Sequence, residues 1–149
     1  MSFQERNVVA GLLVGVAFFY IYTTRVAFVL RDGGFAGDAG LSEMAIQTLW
    51  IIAAFVGITI VVTILTEILY SIITNNPNPK QIVDERDRMI EKTGDRIGGH
   101  FASMVFIGAL IAMATGTNGH WAIVIITYGF FFGAMLSSVI RLFQHRRGY

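Results

Sequence analysis

Four runs of apolar residues, separated by short polar segments, leave this chain few ways to fold. Residues 8–30 are apolar apart from Thr23, Thr24 and Arg25, long enough as a helix to cross a hydrocarbon core of roughly 30 Å. Residues 44–73 are longer and carry one acid, Glu67, so this helix either tilts or emerges by a turn or two. Residues 100–115 are short for a full crossing unless the preceding segment continues into them, and residues 121–143 form the last run. A backbone in lipid must satisfy its polar groups within the segment, so runs of this kind fold as helices. We therefore expect an all-α, polytopic, four-helix membrane bundle that forms one unit over residues 1–149. A cleaved signal peptide fits the first run poorly: such a segment has an apolar region of roughly 7–15 residues, and no small-residue cleavage pair follows at the right distance.

Composition agrees. The chain is 54% hydrophobic and 14% charged, where soluble domains are about 25% charged. Its formal net charge is +1, and its bases are interleaved with acids or sit at helix ends, which argues against a nucleic-acid partner. There is no cysteine, so disulfides, thiolate ligands, iron–sulfur clusters and thiol nucleophiles are excluded.

Most of the charge is concentrated in residues 75–99, NNPNPKQIVDERDRMIEKTGDRIGG. Pro77 and Pro79 end the second helix, since each lacks an amide donor and disfavours helix in the residue before it. An amphipathic cytoplasmic helix is expected over residues 82–97, between the second and third spans. At 100° per residue, Asp84, Asp87, Glu91 and Asp95 share one stripe, with Arg88, Lys92 and Arg96 beside it. The pairs Asp84 with Arg88, Arg88 with Glu91 and Lys92 with Asp95 have helix-supporting spacing, each worth about 0.2–0.5 kcal/mol. Ile82, Val83, Met89, Ile90 and Ile97 form the apolar face turned to the bundle or the membrane surface. Arg86 projects from the middle of that face, where its guanidinium needs a phosphate or a carboxylate. Gly98 and Gly99 mark a bend or a tight approach before the third span. Asp84, Glu85, Arg86, Asp87, Arg88, Glu91 and Lys92 together form a surface for docking on lipid headgroups or on a partner.

Arg6, Lys80, Arg86, Arg88, Lys92, Arg96, Arg141, Arg146 and Arg147 fall at one end of the spans, while Arg25 and Arg31 fall at the other with Asp32, Asp38 and Glu43. The positive-inside rule then puts both termini in the cytoplasm. Charges within apolar runs are the strongest functional pointers, because each costs about 2.5–3.5 kcal/mol at mid-membrane on insertion scales. Glu67, Arg141, His100 and Arg86 fall in one layer near the cytoplasmic end, and Glu67 is expected to pair with Arg141 or Arg86. Arg25 is expected to snorkel outward or meet Asp32 or Glu43. Small residues recur every four positions in Gly11 and Gly15, in Gly108, Ala112 and Gly116, and in Gly129, Gly133 and Ser137. Such spacing lets helices pack closely, within one bundle or between copies in a homo-oligomer.

Other chemistries are weaker fits. His100 and His120 sit beside glycines at helix ends, positions of interfacial or capping histidines more often than of haem or pigment ligands. Asp84, Asp87 and Glu91 lack the loop carbonyls of a hard-cation site and have bases next to them. No nucleophile with a base, phosphate-cradling glycine loop or zinc spacing is present. We expect no catalytic residue, metal site or cofactor.

The motif Val83-Asp84-Glu85-Arg86-Asp87, followed by Met89 and Ile90 and placed between the second and third of four spans, resembles the Asp-Glu-Arg-acid signature of small prokaryotic membrane proteins grouped under a domain of unknown function. The terminal Arg146-Arg147-Gly148-Tyr149 is a second point of likeness. The resemblance implies a bacterial inner-membrane location and a stable unit of four spans plus charged helix; it supplies no reaction. The expectation is a non-enzymatic accessory, scaffolding or regulatory membrane protein that docks through its charged helix. The competing class is a small homo-oligomeric transporter or channel in which Glu67 and Arg86 control ions at the cytoplasmic mouth.

Overall fold

The computed structural model describes residues 3–74 and 85–147. The first span, α1, runs from Phe3–Tyr22 through a π-helical turn, Thr23–Ala27, into a last α-helical turn, Phe28–Arg31. It is followed by α2 (Gly37–Thr74), α3 (Glu85–Ala114) and α4 (Gly119–Arg147). Among the described residues these four helices are each long and apolar enough to cross a membrane, and the chain is an all-α, four-helix membrane protein. Ile82, Val83, Asp84 and the prolines lie outside the described residues.

The helices stop where the backbone can turn. At the end of α1 the Gly34 amide donates to the Val29 carbonyl at 2.9 Å and the Gly33 amide to Leu30 at 3.2 Å. At the end of α3 the Thr117 amide donates to Ala112 and the Gly116 amide to Met113, both at 3.0 Å. Both closures are of the Schellman type and need a residue in the left-handed region; Gly33 (φ 80°) and Gly116 (φ 97°) supply it without a Cβ penalty. Asn118 then caps α4, its Oδ1 accepting from the His120 amide at 3.1 Å.

The charged segment and the third span are one 30-residue helix, about 45 Å long at the α-helical rise. This replaces the expected separate helices over residues 82–97 and 100–115, and it supplies the missing length of the third span. The helix continues unbroken through Gly98 and Gly99, and Gly98 makes a tight approach, to Gly133 of α4. α2, at 38 residues, also exceeds the core thickness.

Packing is sequential: α2 lies on α1, α1 on α4, and α4 on α3. The core lies between α1, α2 and α4, where Phe18, Tyr22, Val26, Met44, Val124 and Phe131 are buried. Aromatic rings give it shape, with Phe18 against Phe55 (centroids 4.7 Å) and Phe19 against Phe131 (5.1 Å). Within the π turn the Thr23 hydroxyl and the Tyr128 hydroxyl are 2.7 Å apart, tying α1 to α4. Only 6% of the span within α2 is buried.

α3 packs by a different rule. Its buried residues are Ile90, Gly94, Gly98, Ala102 and Ala109, a nearly unbroken stripe of small residues against Gly129, Gly133 and Ser137 of α4. A methyl group placed on Gly98 would lie 2.5 Å from the Gly133 carbonyl oxygen, and one on Gly133 would lie 2.7 Å from that of Gly98. The two backbones are therefore in contact. Of the apolar face expected to turn to the bundle or the membrane surface, Ile90 is buried in this contact, while Met89 (69% exposed) and Ile97 (39%) lie outside it. Close approach gains more packing than two bulky side chains on that face would permit, so the helix rotates to bring glycine, not isoleucine, to α4.

Candidate functional site

The charged residues converge where the start of α1, the end of α2, the first turns of α3 and the end of α4 meet. Arg6 is presented by the first turn of α1 and Glu67 by the penultimate turns of α2, and antiparallel packing brings them together. The Arg6 Nη2 donates to Glu67 Oε2 at 3.3 Å and to Oε1 at 3.4 Å. The side chains are 13% and 23% exposed, so the pair is largely withdrawn from solvent. The Arg6 guanidinium also stands 3.5 Å from the centroid of the Tyr70 ring, one turn further along α2, a cation–π contact. Glu67 is thus paired, but with Arg6 rather than with Arg141 or Arg86. Counting depth from helix ends ranked Arg141 and Arg86 first; the direct packing of α1 on α2 decided for Arg6.

Arg141 projects from α4 toward α3 and is paired with Asp95. Its stem lies over Gly94: a methyl group there would be 2.7 Å from the Arg141 Cγ. Gly94 thus makes room for the arginine as well as for the helix contact. One turn further out, His145 Nδ1 lies 3.7 Å from Asp87 Oδ1, a contact that becomes an ion pair when the imidazole carries a proton. Asp87 and Asp95 of the α3 stripe turn toward α4, and the expected pairs Arg88 with Glu91 and Lys92 with Asp95 are not formed. Asp87 and Glu91, weighed with Asp84 as cation ligands, do not converge: Asp87 faces His145, while Glu91 lines a cleft.

That cleft, about 270 Å³, is walled by Asn7, Val8 and Gly11 of α1, Glu91 of α3, and Ser138, Arg141 and His145 of α4. Its polar walls are incompletely satisfied. Asn7 Oδ1 and Arg141 Nε are buried without a hydrogen-bond partner.

The remaining expected site residues are dispersed. Arg86 opens α3 and is exposed, one turn before the buried Ile90; the packed face narrows to Ile90 and the glycines, so Arg86 does not project from a buried surface. His100 is exposed, and its Nδ1 donates to the Arg96 carbonyl at 2.6 Å. Glu85, Arg88, Glu91, Lys92 and Arg96 are exposed along α3, and Asp84 lies outside the described residues. Among the described residues Arg25 is exposed and pairs with neither Asp32 nor Glu43. A methyl group on Gly15 would lie 3.6 Å from the Phe131 ring, Gly11 lines the polar cleft, and Gly108 is exposed. His120 is buried, with Nδ1 2.6 Å from Asn118 Oδ1.

Three residues that matter here escaped the sequence reading: Arg6, Asp95 as the partner of Arg141, and Gly94. The four-residue spacing of Gly94, Gly98 and Ala102 was a usable signal, masked by the charges around it. No protein-family model, curated protein or solved structure matches this chain.

Proposed function

We propose that this is a non-enzymatic accessory or scaffolding protein of the bacterial inner membrane, which docks a membrane-protein partner on the outward charges of α3. The observation that carries the reading is the way α3 is held. Its contact with α4 uses Ile90, Gly94 and Gly98, which leaves Arg88, Glu91, Lys92 and Arg96 exposed on a rigid helix. Residues 85–96 hold four acids (Glu85, Asp87, Glu91, Asp95) and four bases (Arg86, Arg88, Lys92, Arg96), and because Asp87 and Asp95 face His145 and Arg141 of α4 the outward face is net basic. A net-basic face with interspersed acids suits an acidic array on a polypeptide, where the order of signs sets register, with anionic headgroups as the competing surface. The clustering of basic residues at this end supports a cytoplasmic location for it and for both termini. The motif likeness supports the bacterial inner membrane.

The test is native mass spectrometry of the protein extracted gently into lipid discs, comparing the wild type with Arg88→Glu/Lys92→Glu. A second polypeptide that is retained by the wild type and lost from the double variant, with the helical content of the protein unchanged, is the expected result. A pure homo-oligomer indifferent to the charge reversal would end the docking reading.

A further inference from the structure

At its charged end the contact between α3 and α4 is carried by Ile90, 4% exposed, and by Asp87, nearer the helix start, whose carboxylate faces the imidazole of His145. The imidazole is 10% exposed and the carboxylate 24%. Their separation of 3.7 Å is longer than a hydrogen bond. A neutral imidazole therefore gains little from Asp87, whereas a protonated one gains an ion pair in a place where water screens it poorly.

The charges around His145 leave that ion pair open to it. From α3, Asp87 faces it directly and Glu91 stands with it in the wall of the polar cleft. On α4 itself, Arg141, one turn earlier, is held by Asp95, and Arg146 is exposed. α1 contributes the uncharged Asn7, and the neighbouring Arg6 is held by Glu67 of α2. With Arg141 and Arg6 each on a carboxylate of its own, the groups that α3 turns to the imidazole are two acids.

We propose that His145 and Asp87 form a proton-operated latch that fixes the first turn of α3 to the last turn of α4, closed when the imidazole is protonated and released when it is neutral. Imidazole ordinarily changes charge between about pH 5 and 8. A fall in pH across that interval clamps the start of α3, and a rise frees it. The segment under control is residues 85–89, which carries Arg86 and Arg88 and precedes the buried Ile90. Further along, the approach of Gly94 and Gly98 to α4 and the pair of Arg141 with Asp95 involve no imidazole and hold at both pH values. The latch concerns how α3 is held and does not rest on the docking reading.

Hydrogen exchange of the full chain in lipid discs tests this, read by mass spectrometry at about pH 5.5 and about pH 8 and corrected for the intrinsic pH dependence of amide exchange. The amides to follow are those of residues 89–93, whose helical acceptors are the carbonyls of residues 85–89. Their protection should be about threefold higher at the acidic pH, as befits a partly exposed ion pair, while that of residues 98–102 stays the same. His145→Gln should show the weaker protection at both pH values. His145→Arg, charged throughout, should show the stronger protection at both. Wild-type protection of residues 89–93 that is indifferent to pH, or a pH response that survives in His145→Gln or His145→Arg, would overturn the proposal. So would a response that survives in Asp87→Asn, which would hand the imidazole to Glu91.

Discussion

Arg6 and Glu67 meet at 3.3 Å across the α1–α2 contact although 61 residues separate them in the chain. The pair joins the beginning of the first span to the end of the second, with Tyr70 closing the other face of the guanidinium. It is a polar latch of the first hairpin.

Removing one partner leaves the other charge largely withdrawn from water, so Arg6→Met and Glu67→Gln should each destabilise the fold by about 1–3 kcal/mol. Arg6→Lys should recover only part of the loss, because an ammonium cannot both fork onto the carboxylate and stack flat on Tyr70. Reversible unfolding in mixed micelles, arranged as a double-mutant cycle, measures the coupling. Strictly additive effects of Arg6→Met and Glu67→Gln would show that the pair is not energetically coupled.

The α3–α4 contact should be intolerant of volume. Gly98→Ala puts a methyl group 2.5 Å from the Gly133 carbonyl oxygen, which is backbone and cannot swing aside. A cost of about 1–3 kcal/mol is expected for alanine, and more for valine. Gly108→Ala, on the same helix with open space around it, is the control and should be neutral or slightly stabilising. The same unfolding assay reads both.

Arg141 and Asp95 should respond unequally. Asp95 is 62% exposed and its loss frees a residue that water can solvate, so Asp95→Asn should cost less than about 1 kcal/mol. Arg141 is 23% exposed and packs its stem over Gly94, so Arg141→Ala removes packing as well as charge and should cost two to three times as much. Comparable losses from the two substitutions would contradict this account of the stem.

Tyr128→Phe deletes the hydroxyl that meets Thr23 at 2.7 Å and keeps the ring tilted against Phe19 and edge-on to Tyr22. A loss of about 0.6–1.5 kcal/mol is expected, the range found for single hydrogen bonds between membrane helices. Helical content by circular dichroism should not change, and thermal unfolding should shift down.

The absence of native cysteine makes topology directly measurable. A cysteine at Lys92 should be labelled by a membrane-impermeant thiol reagent only after the cytoplasmic side is opened, and one at Ala36, in the α1–α2 loop, from outside intact cells. The reverse pattern would invert the orientation derived from the basic residues.

Hydropathy alone determined that four helices cross a membrane, because lipid leaves an apolar run of about 20 residues no other way to satisfy its backbone. Local chemistry likewise determined the stops at Gly33 and Gly116, where only neighbouring residues take part. Two things lay beyond reach of any periodicity. The rotation of α3 stayed open in the sequence because its apolar stripe, Met89 and Ile97, competes with the small stripe, Gly94 and Gly98, and the winner depends on what α4 presents opposite. The partner of Glu67 was misread for a related reason: depth along each helix is written in the sequence, but which helices are neighbours is not. Only the packing of α1 between α2 and α4 brings Arg6 to Glu67 and leaves Arg141 to Asp95.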